Sequence, residues 1–136
     1  MTTSGEPGSQ AGGVDLDIGE FRLLHQITKE LPNLSLEGVD ESFQRHVLDL
    51  VRSARAQADG VTAVTLLTDD GREVAVRRDG ARLVVDTGLG RDALALWATL
   101  GRAVVSALGS PELDLRTGGS PAQAEDLLAK LEAGAQ

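Results

Sequence analysis

The stretch VTAVTLLTDDGREVAVRRDGARLVVDTG, residues 61–88, decides how this chain is read. Three runs rich in Val, Leu and Thr are separated by two glycine turns, Asp69-Asp70-Gly71 and Asp79-Gly80. A three-residue loop ending in Gly suits a type I turn followed by a left-handed bulge residue, and a two-residue Asp-Gly loop suits a type I′ hairpin. The loop lengths then set the register. Counting back from the first turn pairs Thr68 with Arg72, Leu66 with Val74 and Val64 with Val76. Counting from the second pairs Arg78 with Ala81, Val76 with Leu83 and Val74 with Val85. Side chains alternate between faces, so both counts put Val64, Leu66, Val74, Val76, Leu83 and Val85 on one side. The expectation is a three-stranded antiparallel meander over Val61–Thr68, Arg72–Arg78 and Ala81–Thr87, whose apolar side seats helices.

Working outward, Phe21, Leu24, Ile27 and Leu31 recur at helical spacing and predict a short helix over Asp17–Leu31, stopped by Pro32-Asn33. Leu34–Val39 reads as a linker. A longer helix is expected over Glu41–Asp59, with Asp40 as N-cap, Gly60 as stop and an apolar row of Phe43, Val47, Leu50, Val51, Ala54 and Ala58. Beyond the strands, Asp92–Leu108 predicts a helix whose polar row (Asp92, Ala95, Thr99, Arg102, Ser106) is narrow and whose remaining residues are almost all apolar. One sheet covers only one stripe of such a helix, so a second cover is expected, either the Glu41–Asp59 helix or the same helix of another subunit. Leu94, Trp97, Gly101, Val104 and Leu108 are the residues expected to pack there or to form a dimer contact. Gly109-Ser110-Pro111 ends the helix, and Leu113–Arg116 reads as a short edge strand. Ser120, Pro121 and Gln123 make a capping box for a last helix carrying Ala124, Leu127, Leu128 and Leu131. The predicted class is α+β in the order α-α-β-β-β-α-(short β)-α, with residues 1–16 a disordered tail, 17–133 a single domain and 41–108 its core.

Composition narrows the function. With 136 residues the chain suits one domain, and with no cysteine it has neither disulfides nor thiolate chemistry, which fits a reducing cytosol. No run approaches about 18 uninterrupted apolar residues, so no membrane partner is expected. The first residues lack the basic start and apolar middle of a signal peptide. Eleven Arg against two Lys, with abundant Ala, Gly and Leu, is the composition of a GC-rich bacterial genome. The net charge of −8 comes from the flanks: residues 1–40 carry −5, residues 41–105 are neutral and residues 106–136 carry −3. An acidic chain disfavours tight binding to phosphate backbones, whose affinity comes largely from counterion release.

No catalytic constellation is legible, and no catalytic, cofactor or metal residue is assigned. His25 and His46 have no second ligand at metal spacing. Asp69 and Asp70 resemble a carboxylate pair, yet turn geometry accounts for them. Gly88-Leu89-Gly90 precedes a helix without the rest of any phosphate-binding fingerprint. The feature that stands out is a surface. The predicted pairing puts Arg77 opposite Arg82 on the side of the sheet away from the helices, with Arg72, Arg78 and Arg91 close in sequence. Like charges across a strand pair repel, and a bound anion or acidic partner relieves them. Ala63, Leu67, Ala75 and Val84 share that side. Arginine beside aliphatic residues suits a protein contact, with Arg72, Arg77, Arg82, Val84 and Leu67 as the binding residues.

The run LLTDDGREVAVRRDGARLVVDTG followed by LGRDALALWATLGRAVVSAL, with the helix before it, resembles the YbaB/EbfC family of small bacterial nucleoid-associated proteins over about residues 41–108. The resemblance lies in an Asp-Gly turn, alternating Val, a second Gly turn and an apolar helix. It implies a helix, a short antiparallel sheet, a closing helix and a homodimer, and it connects to acidic relatives found beside secretion genes. The long charged helices of that family are shortened here and acidic flanks are added. The expectation is a cytoplasmic, non-catalytic, dimerising protein-binding module of adaptor or chaperone-like kind. The alternative is a YbaB-like DNA binder in which Arg45, Arg52, Arg55, Arg72, Arg77, Arg78 and Arg82 track phosphates. A ligand carrier with Trp97 lining a pocket ranks last.

Overall fold

A computed structural model of the chain describes residues 13–34, 40–68 and 73–135. The elements are β1 (Gly13–Asp17), α1 (Ile18–Lys29), a 3-10 turn (Leu31–Asn33), α2 (Glu41–Ala56), β2 (Ala63–Leu67), β3 (Ala75–Asp79), β4 (Arg82–Asp86), α3 (Arg91–Thr117) and α4 (Pro121–Ala133). The class is α+β, as the sequence predicts. The sheet differs: it has four strands in the order β1-β2-β4-β3, with β1–β2 and β3–β4 antiparallel and β2–β4 parallel.

The antiparallel meander is therefore corrected. β4 lies between β2 and β3, so Leu66 faces Val85 rather than Val74, and Val64 faces Leu83 rather than Val76. The physical reason is burial. Leu83-Val84-Val85 is a continuous apolar run and all three are buried, as a central strand requires, whereas β3 carries exposed Arg77, Arg78 and Asp79 and suits an edge. The predicted β3–β4 register is off by two: Val76 pairs Val85 and Asp79 pairs Arg82. The loop is Gly80-Ala81, with Gly80 at φ 62° and no positive φ at Ala81, which is the pattern of a type II′ loop with glycine first. Because the slip is two residues, the faces are preserved. Val14, Leu66, Val85 and Val76 make one row beneath the helices, and Leu16, Val64, Leu83 and Arg78 the next. Val74 and Val76 are half-buried against the core.

Two further expectations fall. Residues 13–16, predicted as tail, belong to β1, where Val14 and Leu16 alternate inward with Asp15 outward; residues 1–12 lie outside the described residues. The Asp69-Asp70-Gly71 turn, Arg72 and the linker at 35–39 also lie outside them. Leu113–Arg116 is helical, not a strand. Leu113 is buried, Leu115 is 81% exposed, and Glu112 and Arg116 form an i,i+4 ion pair at 3.0 Å. Leu-x-Leu spacing alone imitated a strand. The expected stop at Gly109 is a break: with φ 74° and ψ 170° it separates two helical segments of α3, and Pro111 starts the second.

The helices begin where side chains satisfy their free N–H groups. Asp17 accepts from the Glu20 amide at 2.7 Å while Glu20 accepts from the Asp17 amide at 2.9 Å. Asp40 caps α2 through Ser42 at 2.8 Å, and the predicted Ser120–Gln123 capping box forms at α4. The surplus apolar surface of α3 is covered within the chain, by α4 and by α1. Gly101 makes the α3–α4 approach close, since a Cβ there would sit 2.5 Å from Leu128 Cδ2. Arg102 beside it forks to Glu125 at 3.1 Å and Glu132 at 3.0 Å, and these hydrogen bonds, Glu125 first, raise its pKa further. By length and composition α3 is also able to cross a bilayer; here Leu94, Trp97, Ala98, Leu100 and Val104 are buried inside the chain.

Candidate functional site

The sheet has a second face that no helix covers among the described residues. Three rows cross it in register: Asp15, Thr65, Val84 and Arg77; Gly13, Leu67, Asp86 and Ala75; Asp17, Ala63, Arg82 and Asp79. Val84 is only 8% exposed, yet it stands apart from the contiguous core beneath the helices. Leu67, Ala63 and Thr65 are half-buried, while Ala75, Arg77 and Arg82 are exposed.

The two arginines do not oppose one another, which corrects the sequence reading. Arg77 lies across from Val84 and Arg82 across from Asp79. Arg82 reaches the other way, donating through Nη1 to Thr65 Oγ1 at 2.7 Å and to Asp15 Oδ1 at 3.2 Å, while Thr65 donates to the same carboxylate oxygen at 2.6 Å. This chain of three side chains ties β4, β2 and β1 together across the open face. Repulsion between arginines thus gives no reason to bind an anion. What remains is an apolar centre of Val84, Leu67 and Ala63 with one engaged arginine on one side and, on the other, Arg77, which makes no ion pair among the described residues. Asp15 and Thr65 were not singled out from sequence: Asp15 sits in the stretch read as tail, and its partnership with Arg82 depends on the β1–β2–β4 order.

The other predicted residues divide clearly. Arg78 belongs to the helix side, where it donates to the carbonyls of Asp59 at 2.7 Å and Gly80 at 3.1 Å. Leu94, Trp97, Gly101 and Val104 are buried within the chain and Leu108 is half-buried, so they serve packing, and the apolar argument for a second subunit at α3 is removed. Trp97 lines no open pocket: it is buried and donates to Thr28 Oγ1 at 3.1 Å. His46 donates from Nε2 to the Thr87 carbonyl at 2.7 Å, pinning α2 to the end of β4. His25 lies between α1 and α2 with Nδ1 buried and without a hydrogen bond; burial first, then Lys29, Arg55 and Arg52, push its pKa below the usual histidine value.

A cleft of about 450 Å³ opens where the start of α1 meets the α3–α4 junction, lined by Asp17, Glu20, Arg22, Gly118, Gln123 and Asp126. Three of its polar groups are already engaged: Asp17, Glu20 and Gln123 cap their helices, and Glu20 pairs with Lys130 at 2.6 Å. Among the described residues no group of three His, Cys, Asp or Glu is placed to hold a metal. Comparisons with protein-family models, with curated proteins and with solved structures find no match.

Proposed function

We propose that this chain is a non-catalytic protein-binding module that docks another protein on the open face of its sheet. The observation that supports the reading is the combination on that face of a small apolar centre, Val84, Leu67 and Ala63, with Arg77 and Arg82 beside it. Aliphatic surface with arginine at its margin is the composition of a protein contact rather than of a catalytic pocket. The DNA-binding alternative needs its arginines to follow one backbone. Arg45, Arg52 and Arg55 lie on α2, on the helix side of the sheet, while Arg77 and Arg82 point from the opposite side. Their separation favours the protein reading over a duplex that would have to follow both sets.

The test is capture with the full chain and with Leu67→Glu/Arg77→Glu. Both positions lie outside the main core, so far-UV circular dichroism should be unchanged. The double variant should lose the protein that the wild type retains. Retention of that protein at the wild-type level, or no specific protein held by the wild type, overturns the reading.

A further inference from the structure

The two edges of the sheet differ. β1 has the end of α4 against it, where Gly134 lies directly on Val14. β3 has β4 on one side and pairs with no strand on the other among the described residues. A flank of free N–H and C=O groups is a template for a further strand. Exposure alternates along this edge: Glu73, Ala75 and Arg77 are exposed, while Val74 and Val76 are half-buried against the core. Glu73 therefore continues the outer row of Ala75 and Arg77. Neither Glu73 nor Arg77 makes an ion pair among the described residues.

An antiparallel pairing of this edge with a second copy, about a two-fold axis, sets one residue opposite its own image. Positions equally far from that residue then face each other on the same side of the sheet. Charge separates the candidates for the axis. Arg77 or Arg78 there meets its own cation. Val76 there sets Glu73 against Asp79, a carboxylate against a carboxylate at both ends. Val74 there sets Glu73 against Ala75 and leaves the carboxylate without a cation. Ala75 there sets Glu73 against Arg77 twice, and Val74 against Val76 twice on the helix side.

We propose that β3 pairs antiparallel with β3 of a second copy about an axis at Ala75, joining two four-stranded sheets into one. The occupant is a second copy because this edge is its own complement: the cation and the carboxylate stand equally far from Ala75 on opposite sides of it. The other charges nearby do not oppose the register. Asp86, across from Ala75 on β4, is diagonal to Glu73 and Arg77 within its own copy, and at the axis Ala75 meets only Ala75. The position beyond Arg77 sets Arg78 against Arg72, which lies outside the described residues; Arg78 is already drawn back onto the carbonyls of Asp59 at 2.7 Å and Gly80 at 3.1 Å. Asp79 faces Arg82 on β4. One short edge makes a small interface, so the dimer is weak and depends on concentration. It places the two open sheet faces side by side, and it stands apart from what those faces bind.

The experiment is sedimentation velocity on the full chain, from micromolar to near-millimolar concentration at low ionic strength. The wild type should show a monomer–dimer equilibrium. Glu73→Arg turns both cross-copy attractions into repulsions and should weaken the dimer roughly tenfold or more. Glu73→Arg/Arg77→Glu exchanges the two charges and should bring the dimer back to within about threefold of the wild type. The chain has no cysteine, so a single introduced thiol reports on the axis. Directly opposed Cβ atoms lie about 4.5–5.5 Å apart, close enough for a disulfide after a small adjustment. Ala75→Cys should therefore crosslink on mild oxidation, and Ser106→Cys, exposed on α3, should not. A wild type that stays monomeric throughout overturns the proposal and leaves the edge to an extended segment of another protein. A dimer indifferent to Glu73→Arg, a double variant that does not recover, or equal crosslinking at both cysteines overturns it as well.

Discussion

Trp97 is the largest side chain in the core, and its one polar atom is answered there. Nε1 donates to Thr28 Oγ1 at 3.1 Å, and that hydroxyl donates onward to the Leu24 carbonyl at 2.7 Å. A hydroxyl with both donor and acceptor capacity is what this position needs, since a buried indole N–H left alone pays its desolvation in full. Thr28→Val keeps the shape and removes the acceptor. It should cost about 1–3 kcal/mol, measured by urea unfolding followed through Trp97 emission. The same residue-level logic governs Arg82, whose partners Thr65 and Asp15 come from two other strands. No local pattern in the sequence announces such a contact, because it exists only once three strands have taken their places.

Helix boundaries were the most legible elements, because caps act within a few residues. Asp40, Ser120 and Gln123 do locally what their types predict. Strand order was not legible in the loop lengths, which constrain only adjacent pairs. It was legible in strand composition: an uninterrupted Leu83-Val84-Val85 belongs at the centre, and Arg77-Arg78-Asp79 at an edge. The open face was foreseen, since face assignment survives a slip of two, while the Arg77–Arg82 opposition did not, since it depends on the register itself. Gly109 is the element-scale feature with the sharpest consequence. Its backbone, φ 74° and ψ 170°, lies in a region open essentially to glycine alone, and nothing crowds a Cβ there. Gly109→Ala should therefore cost about 1–3 kcal/mol through strain alone, seen as a lowered thermal midpoint with an unchanged circular dichroism spectrum at low temperature.

Across the whole molecule, α4 is the cover that makes α3 a core helix. Leu127, Leu128 and Leu131 are fully buried, and each contributes roughly 1.5–3 kcal/mol by leaving water. Their sum is comparable to the whole stability of a domain, about 5–15 kcal/mol. A chain ending at Gly119 should lose cooperative unfolding and aggregate, as judged by thermal melts and light scattering. Charge is distributed on the same scale: the sheet's outer face, the start of α1 and the α3–α4 seam each set a carboxylate against a neighbouring cation. The position of β4 has a consequence for how the molecule is made. It is the last strand to leave the ribosome and it belongs in the middle. Until it arrives, β2 has a bare margin and β3 has no neighbour to hold it. Chain order and sheet order together leave that margin of β2 open until β4 has been made, so any helper that shields a growing chain has its longest task at the side of β2.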